Sequence, residues 1–116
     1  MGMDMKKSLI LASLLIAFST SASTTYTKEQ LNSMDASGQY PEQESPVTKS
    51  VEVVDFDSCK QNAYSIYSQI SGSYPAKEIV NTNVLYVIKL WTNDGVVMVS
   101  CSEPDGKKIV TQSSYK

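Results

Sequence analysis

Few side chains in this chain are of a type and spacing that could do chemistry: Asp55 with Asp57, Cys59 with Cys101, and Ser113 three residues before Lys116. Two carboxylates could share acid–base work, but one residue apart they read more simply as a strand-end residue and a helix cap. The Ser-x-x-Lys pattern lies at the chain terminus and does not open a buried helix, where its chemistry would need it. The chain has no histidine, so it has no Ser-His or Cys-His pair, no imidazole base and no histidine-containing zinc site. Asp94-Gly95 and Asp105-Gly106 lack the ligand spacing of a calcium loop and read as turns. The expectation is a non-enzymatic protein with no catalytic residue, no cofactor and no metal.

The two cysteines take their meaning from the compartment. Lys6 and Lys7 precede an apolar run from Leu9 to Phe18, followed by the small residues Ser19 to Ser23. This is the layout of a secretory signal peptide over residues 1–23, with cleavage near Ala22 or Ser23. The run is about half the roughly 20 residues of a membrane span, which disfavours an anchor helix. No cysteine follows it closely, so no lipid anchor is expected, and the product is expected to be periplasmic or secreted. In an exported chain of this size an even cysteine count reads as a disulfide, Cys59 to Cys101. A loop that long contributes about 4 kcal/mol in the chain-entropy picture, against a net stability of about 5 to 14 kcal/mol for such a domain.

These residues need elements to hold them. Val84 to Trp91, apolar at nearly every position and followed by Asn93-Asp94-Gly95, reads as a central strand buried from both sides. Val96 to Cys101 and Ile109 to Thr111 complete an antiparallel meander. Val51 to Phe56 is the first strand, and Asp57 is placed to cap a helix over Ser58 to Ser71 whose stripe is Cys59, Ala63, Ile66 and Ile70. Gly72 and Pro75 close that helix. Thr27 and Gln30 form a capping box for a shorter helix, Lys28 to Ser37, ending at Gly38. The predicted fold is α+β, a mainly antiparallel sheet of three to four strands with one helix disulfide-clamped on one face and a short N-terminal helix. Residues 24–49 form the short helix and an extended arm, and residues 50–116 the α+β domain.

Register divides the sheet into two faces. A two-residue loop at Asp94-Gly95 sets Leu90 opposite Val99 and Ile88 opposite Cys101, which puts Tyr86, Ile88, Leu90, Val97, Val99, Cys101 and Ile109 under the helix. The opposite face then carries Val87, Trp91, Val96, Met98 and Val110. A face that apolar is either covered by the N-terminal helix through Leu31 and Met34, or it binds a partner or a second copy with Trp91 as anchor. Of the seven tyrosines, Tyr64, Tyr67, Tyr74 and Tyr40 fall on the helix edge and loops, where they serve either recognition or the rim of the core. The candidate partner-binding residues are thus Trp91, Val87, Met98, Tyr64, Tyr67 and Tyr40.

Residues 24–116 carry eight lysines and eleven acidic residues, without a run of one sign longer than two. No basic stripe marks a nucleic-acid footprint. The partner classes left are an envelope protein or the chain itself. The combination of the leader with Thr25-Tyr26-Thr27, Gln30-Leu31, Ser37-Gly38-Gln39-Tyr40-Pro41, a Cys at a helix start, Tyr74-Pro75, and Lys89 to Asp94 ahead of a second Cys resembles small exported proteins of bacterial conjugation and type IV secretion gene clusters. The resemblance implies a periplasmic protein-binding accessory of plasmid transfer or of host-cell interaction. The alternative is a periplasmic inhibitor or immunity-type protein whose acidic arm, Pro41 to Glu44, inserts into an enzyme.

Overall fold

The computed structural model describes residues 24–116, so the expected signal peptide lies outside the described residues. The elements are α1 (Lys28–Ser37), β1 (Val47–Val53), α2 (Phe56–Ile70), β2 (Ala76–Asn81), β3 (Leu85–Thr92), β4 (Gly95–Ser102) and β5 (Lys107–Ser114). The five strands form one antiparallel sheet in the order β1-β5-β4-β3-β2. The class is the expected α+β, with a fifth strand. That strand is β2, which the sequence hides because a bulge between Glu78 and Val80 shifts its alternation in mid-strand.

Boundaries near the first strand also move. β1 starts at Val47 and ends at Val53, and Phe56 already belongs to α2, buried against the sheet. The cap is therefore Asp55 and not Asp57: the Asp55 carboxylate accepts the Ser58 amide proton at 3.0 Å. That hydrogen bond holds the Asp55 carboxyl below its ordinary range. In α1 the capping box forms as expected, Thr27 accepting from the Gln30 amide and Gln30 from the Thr27 amide. Gly38 ends it at φ 76°, a left-handed conformation that glycine takes without strain.

The β3–β4 loop is Asn93-Asp94, not Asp94-Gly95, with Thr92 opposite Gly95, Leu90 opposite Val97 and Tyr86 opposite Cys101. The pairing differs from the expected one by two positions. An even slip leaves every side chain of the hairpin on its expected face. Gly95 is required here, since a Cβ would stand 2.3 Å from the Ser113 carbonyl oxygen of β5. In β5 the faces are reversed from expectation: Val110 lies opposite Val99 and packs toward α2, while Ile109 points away, opposite Val51. The four residues Glu103 to Gly106, between the paired Ser102 and Lys107, set that phase.

Two cores result. On one face α2 lays Phe56, Cys59 and Ala63 on Tyr86, Ile88, Leu90, Val99 and Cys101, with Ile66, Ile70 and Val97 around them. The Cys59–Cys101 disulfide joins helix to sheet with Cα atoms 5.8 Å apart. On the other face Leu31, Trp91, Val96 and Tyr115 are buried together, bordered by Tyr26, Tyr40, Tyr74 and Met98.

Candidate functional site

The second core decides the fate of the expected Trp91 anchor. Trp91 is only 3% exposed. Tyr40 stacks on it with ring centroids 4.5 Å apart, and the Lys89 ammonium lies 4.9 Å from its centroid on the same face of the sheet. Lys77 sits 5.1 Å from the Tyr40 ring, and the Tyr40 hydroxyl is hydrogen-bonded to Asp35. Among the described residues the indole N–H has no hydrogen-bond partner, so its burial carries a desolvation cost that the stacked rings must offset. Val87 is buried within the sheet between Val80 and Ser100, and Met98 is half-buried against the Trp91 cluster. The open binding face is thus corrected: Trp91 is interior beneath Leu31 and Tyr40, Val87 is buried in the sheet, and Met98 is half-covered at the edge of the cluster.

What holds the arm is a set of polar ties that sequence reading missed. Tyr115 is a bridge partner of both Thr24 and Gln43, and Glu44 and Lys116 donate backbone N–H groups to Ser114 and Glu42. The Tyr115 hydroxyl donates to the Thr92 carbonyl at 2.7 Å. Burial pushes its pKa up to about 12. Asn93 donates to the Tyr26 carbonyl and accepts from the Tyr74 hydroxyl, and Asn32 donates to the Ser73 carbonyl. Amide side chains at turns give no periodic signal, and that is why these ties are invisible without the fold. The arm Pro41 to Glu44 is fastened at the end of β5, to Ser114, Tyr115 and Lys116, and is not a free insert; Pro41 itself is buried.

The tyrosine edge is different. Tyr64 on α2 is 53% exposed, with Tyr67 half-buried 6.1 Å away. Beside Tyr64 runs a groove of about 530 Å³ between α2 and β2, lined by Asp57, Lys60, Gln61, Tyr64, Glu78, Asn81 and Tyr86. The Tyr86 ring is fully buried, and its hydroxyl donates to Glu78 at 2.5 Å. Burial first, and that carboxylate second, push the Tyr86 phenol well above its ordinary pKa. It stays a donor that fixes Glu78 in the groove wall. Lys60 lies over the rings of Phe56 and Tyr86, 5.9 and 5.5 Å from their centroids.

The remaining sequence candidates stay apart. Asp55 caps α2 while Asp57 faces the groove, so they do not act as a pair. Ser113 is buried in β5 and Lys116 is exposed beyond it. Among the described residues no three His, Cys, Asp or Glu side chains converge as a metal would need, and no helix is long and apolar enough to cross a membrane. Comparison with known proteins finds no matching family model, no matching curated protein and no matching solved structure.

Proposed function

We propose that the chain is a non-enzymatic, exported protein-binding accessory, of the kind that serves plasmid conjugation or type IV secretion in the bacterial envelope, and that it docks its partner at the α2–β2 edge. One observation carries this reading. Tyr64, a large aromatic side chain, stands exposed at the mouth of a groove while the other aromatic clusters of the fold are interior. Exposed tyrosine beside a concave, mixed-polarity surface is the composition of a recognition site. The disulfide and the leader-like N-terminus support an oxidising compartment. Under the inhibitor alternative the acidic arm would act in place and not as a free insert, since its backbone is bonded to Ser114 and Lys116.

The test is capture from a bacterial envelope extract by the oxidised protein, compared with Tyr64→Ala after its melting curve has been matched to wild type. A defined partner retained by wild type and lost by the folded variant supports the reading. Equal capture by both moves docking away from this edge.

A further inference from the structure

The groove beside Tyr64 has one bank that is not a side-chain wall. β2 is an outer strand of the sheet formed by the described residues, so half of its backbone hydrogen-bonding groups have no strand to meet. Which half follows from the flanking bonds. Trp91 donates to the Pro75 carbonyl at one end of the β2–β3 pairing and Thr82 donates to the Leu85 carbonyl at the other. Alternation then turns the amides of Ala76, Glu78 and Asn81 outward. The side chains of Glu78 and Asn81 line the groove, so a strand laid on these amides would send alternate side chains into it. The bulge after Glu78 interrupts the edge, which limits such a strand to a few residues.

Charge selects among strands. The groove holds the carboxylates of Asp57 and Glu78 against the single ammonium of Lys60. Glu78 is oriented by the Tyr86 hydroxyl, and Tyr64 offers an exposed ring face. In an antiparallel pair the residue directly opposite Glu78 shares its face, where an opposite charge is favoured and a like charge is not. Resting on the docking reading above, we propose that this groove takes a short extended segment of a partner protein that adds to the edge of β2 and places a lysine or arginine opposite Glu78. This is recognition by strand addition, with main-chain bonds for affinity and one basic side chain for choice.

The test uses a blocked, fluorescent Val-Thr-Lys-Thr-Val pentapeptide, its analogue with Glu in place of Lys, and a version N-methylated at alternate amides. Anisotropy gives affinity, and amide hydrogen exchange reports on β2. The expected result is slowed exchange at Ala76, Glu78 and Asn81, binding of the Lys peptide at least about tenfold tighter than the Glu peptide at low salt, and no binding by the N-methylated peptide. Glu78→Gln should shrink the Lys preference while leaving main-chain protection in place. Equal binding of the N-methylated peptide overturns strand addition, and equal or tighter binding of the Glu peptide overturns the charge assignment. If no peptide binds while Tyr64-dependent capture from the envelope persists, strand addition is wrong and the docking edge stands. If both are absent, both fail.

Discussion

The two faces of the sheet are covered by different means. On the α2 face a single amphipathic helix, packed through Phe56, Cys59 and Ala63, is joined to β4 covalently. On the Trp91 face the cover is assembled from distant pieces, α1, the arm to Gln43 and Tyr115 beyond β5, and it is aromatic and hydrogen-bonded. A regular helix can bury a stripe with its own backbone already satisfied. An irregular arm cannot, so its carbonyls and amides must be met one at a time by Asn93, Ser114 and Lys116. The difference teaches that a small sheet can seal one face with a covalent clamp and the other with a polar net, and that the net should open first.

The largest effect tests the clamp. Replacing both cysteines, Cys59→Ser with Cys101→Ser, is expected to lose about 4 kcal/mol for a bridge separated by 42 positions. Chemical denaturation should show a single, earlier transition that takes both faces together. Two separate transitions would break the idea that the clamp stabilises the whole sheet.

Leu31→Ala should cost about 3 kcal/mol, because a fully buried leucine leaves a cavity. Here the loss is expected to be local: amide exchange should quicken from Thr24 to Glu44 and at Tyr115, while Ala63 and Val99 keep their protection. Uniform loss of protection would mean that the Trp91 face has no opening of its own short of global unfolding.

How much of this contrast could be read without the fold depends on periodicity. The stripe Cys59, Ala63, Ile66 and Ile70 and the hairpin faces are repeating patterns, the capping box of α1 is a fixed local spacing, and all three stand as expected. What was hidden has no period. β2 changes phase at its bulge, Asp55 caps from outside the apparent helix, and Tyr115 finds Thr24 and Gln43 across nearly the whole described chain. Alternation puts Trp91 on its proper face, yet whether that face is open depends on the arm. The groove was legible only as a tyrosine at a helix edge, because its other bank is the strand that the bulge concealed.

Smaller effects sharpen the contrast at the seam between the faces. Gly95→Ala forces a methyl group against the Ser113 carbonyl and should cost about 2 kcal/mol by overpacking. Its lowered denaturation midpoint should be accompanied by chemical-shift changes at Ser113 and Ser114. Smallest is Tyr115→Phe, which removes the hydroxyl that donates to the Thr92 carbonyl and, more distantly, to that of Gly95, and should cost about 1 kcal/mol at neutral pH.

Tyr115 also gives the net a pH signature. Its phenol ionises near pH 10 when unfolded but holds its proton to about 12 in the fold. Over that window the unfolded state binds fewer protons, so stability is intact below pH 10 and falls as pH rises toward 12. Tyr86, shifted in the same direction, adds to the loss from the clamped face. Tyr115→Phe should therefore flatten part of the alkaline decline and leave the Tyr86 share. An unchanged pH profile would remove Tyr115 from the account.

The position of Tyr115 between Thr24 and Gln43 also sets a timetable. A ribosome delivers the arm well before its lock, and at usual synthesis rates of about 5 to 20 residues per second the interval between Thr24 and Tyr115 is on the order of 5 to 20 s. During that time Tyr26, Leu31 and Tyr40 have no finished surface to cover. The α2 core does not include Tyr115 and has no such wait, so the two faces of one sheet are sealed at different times.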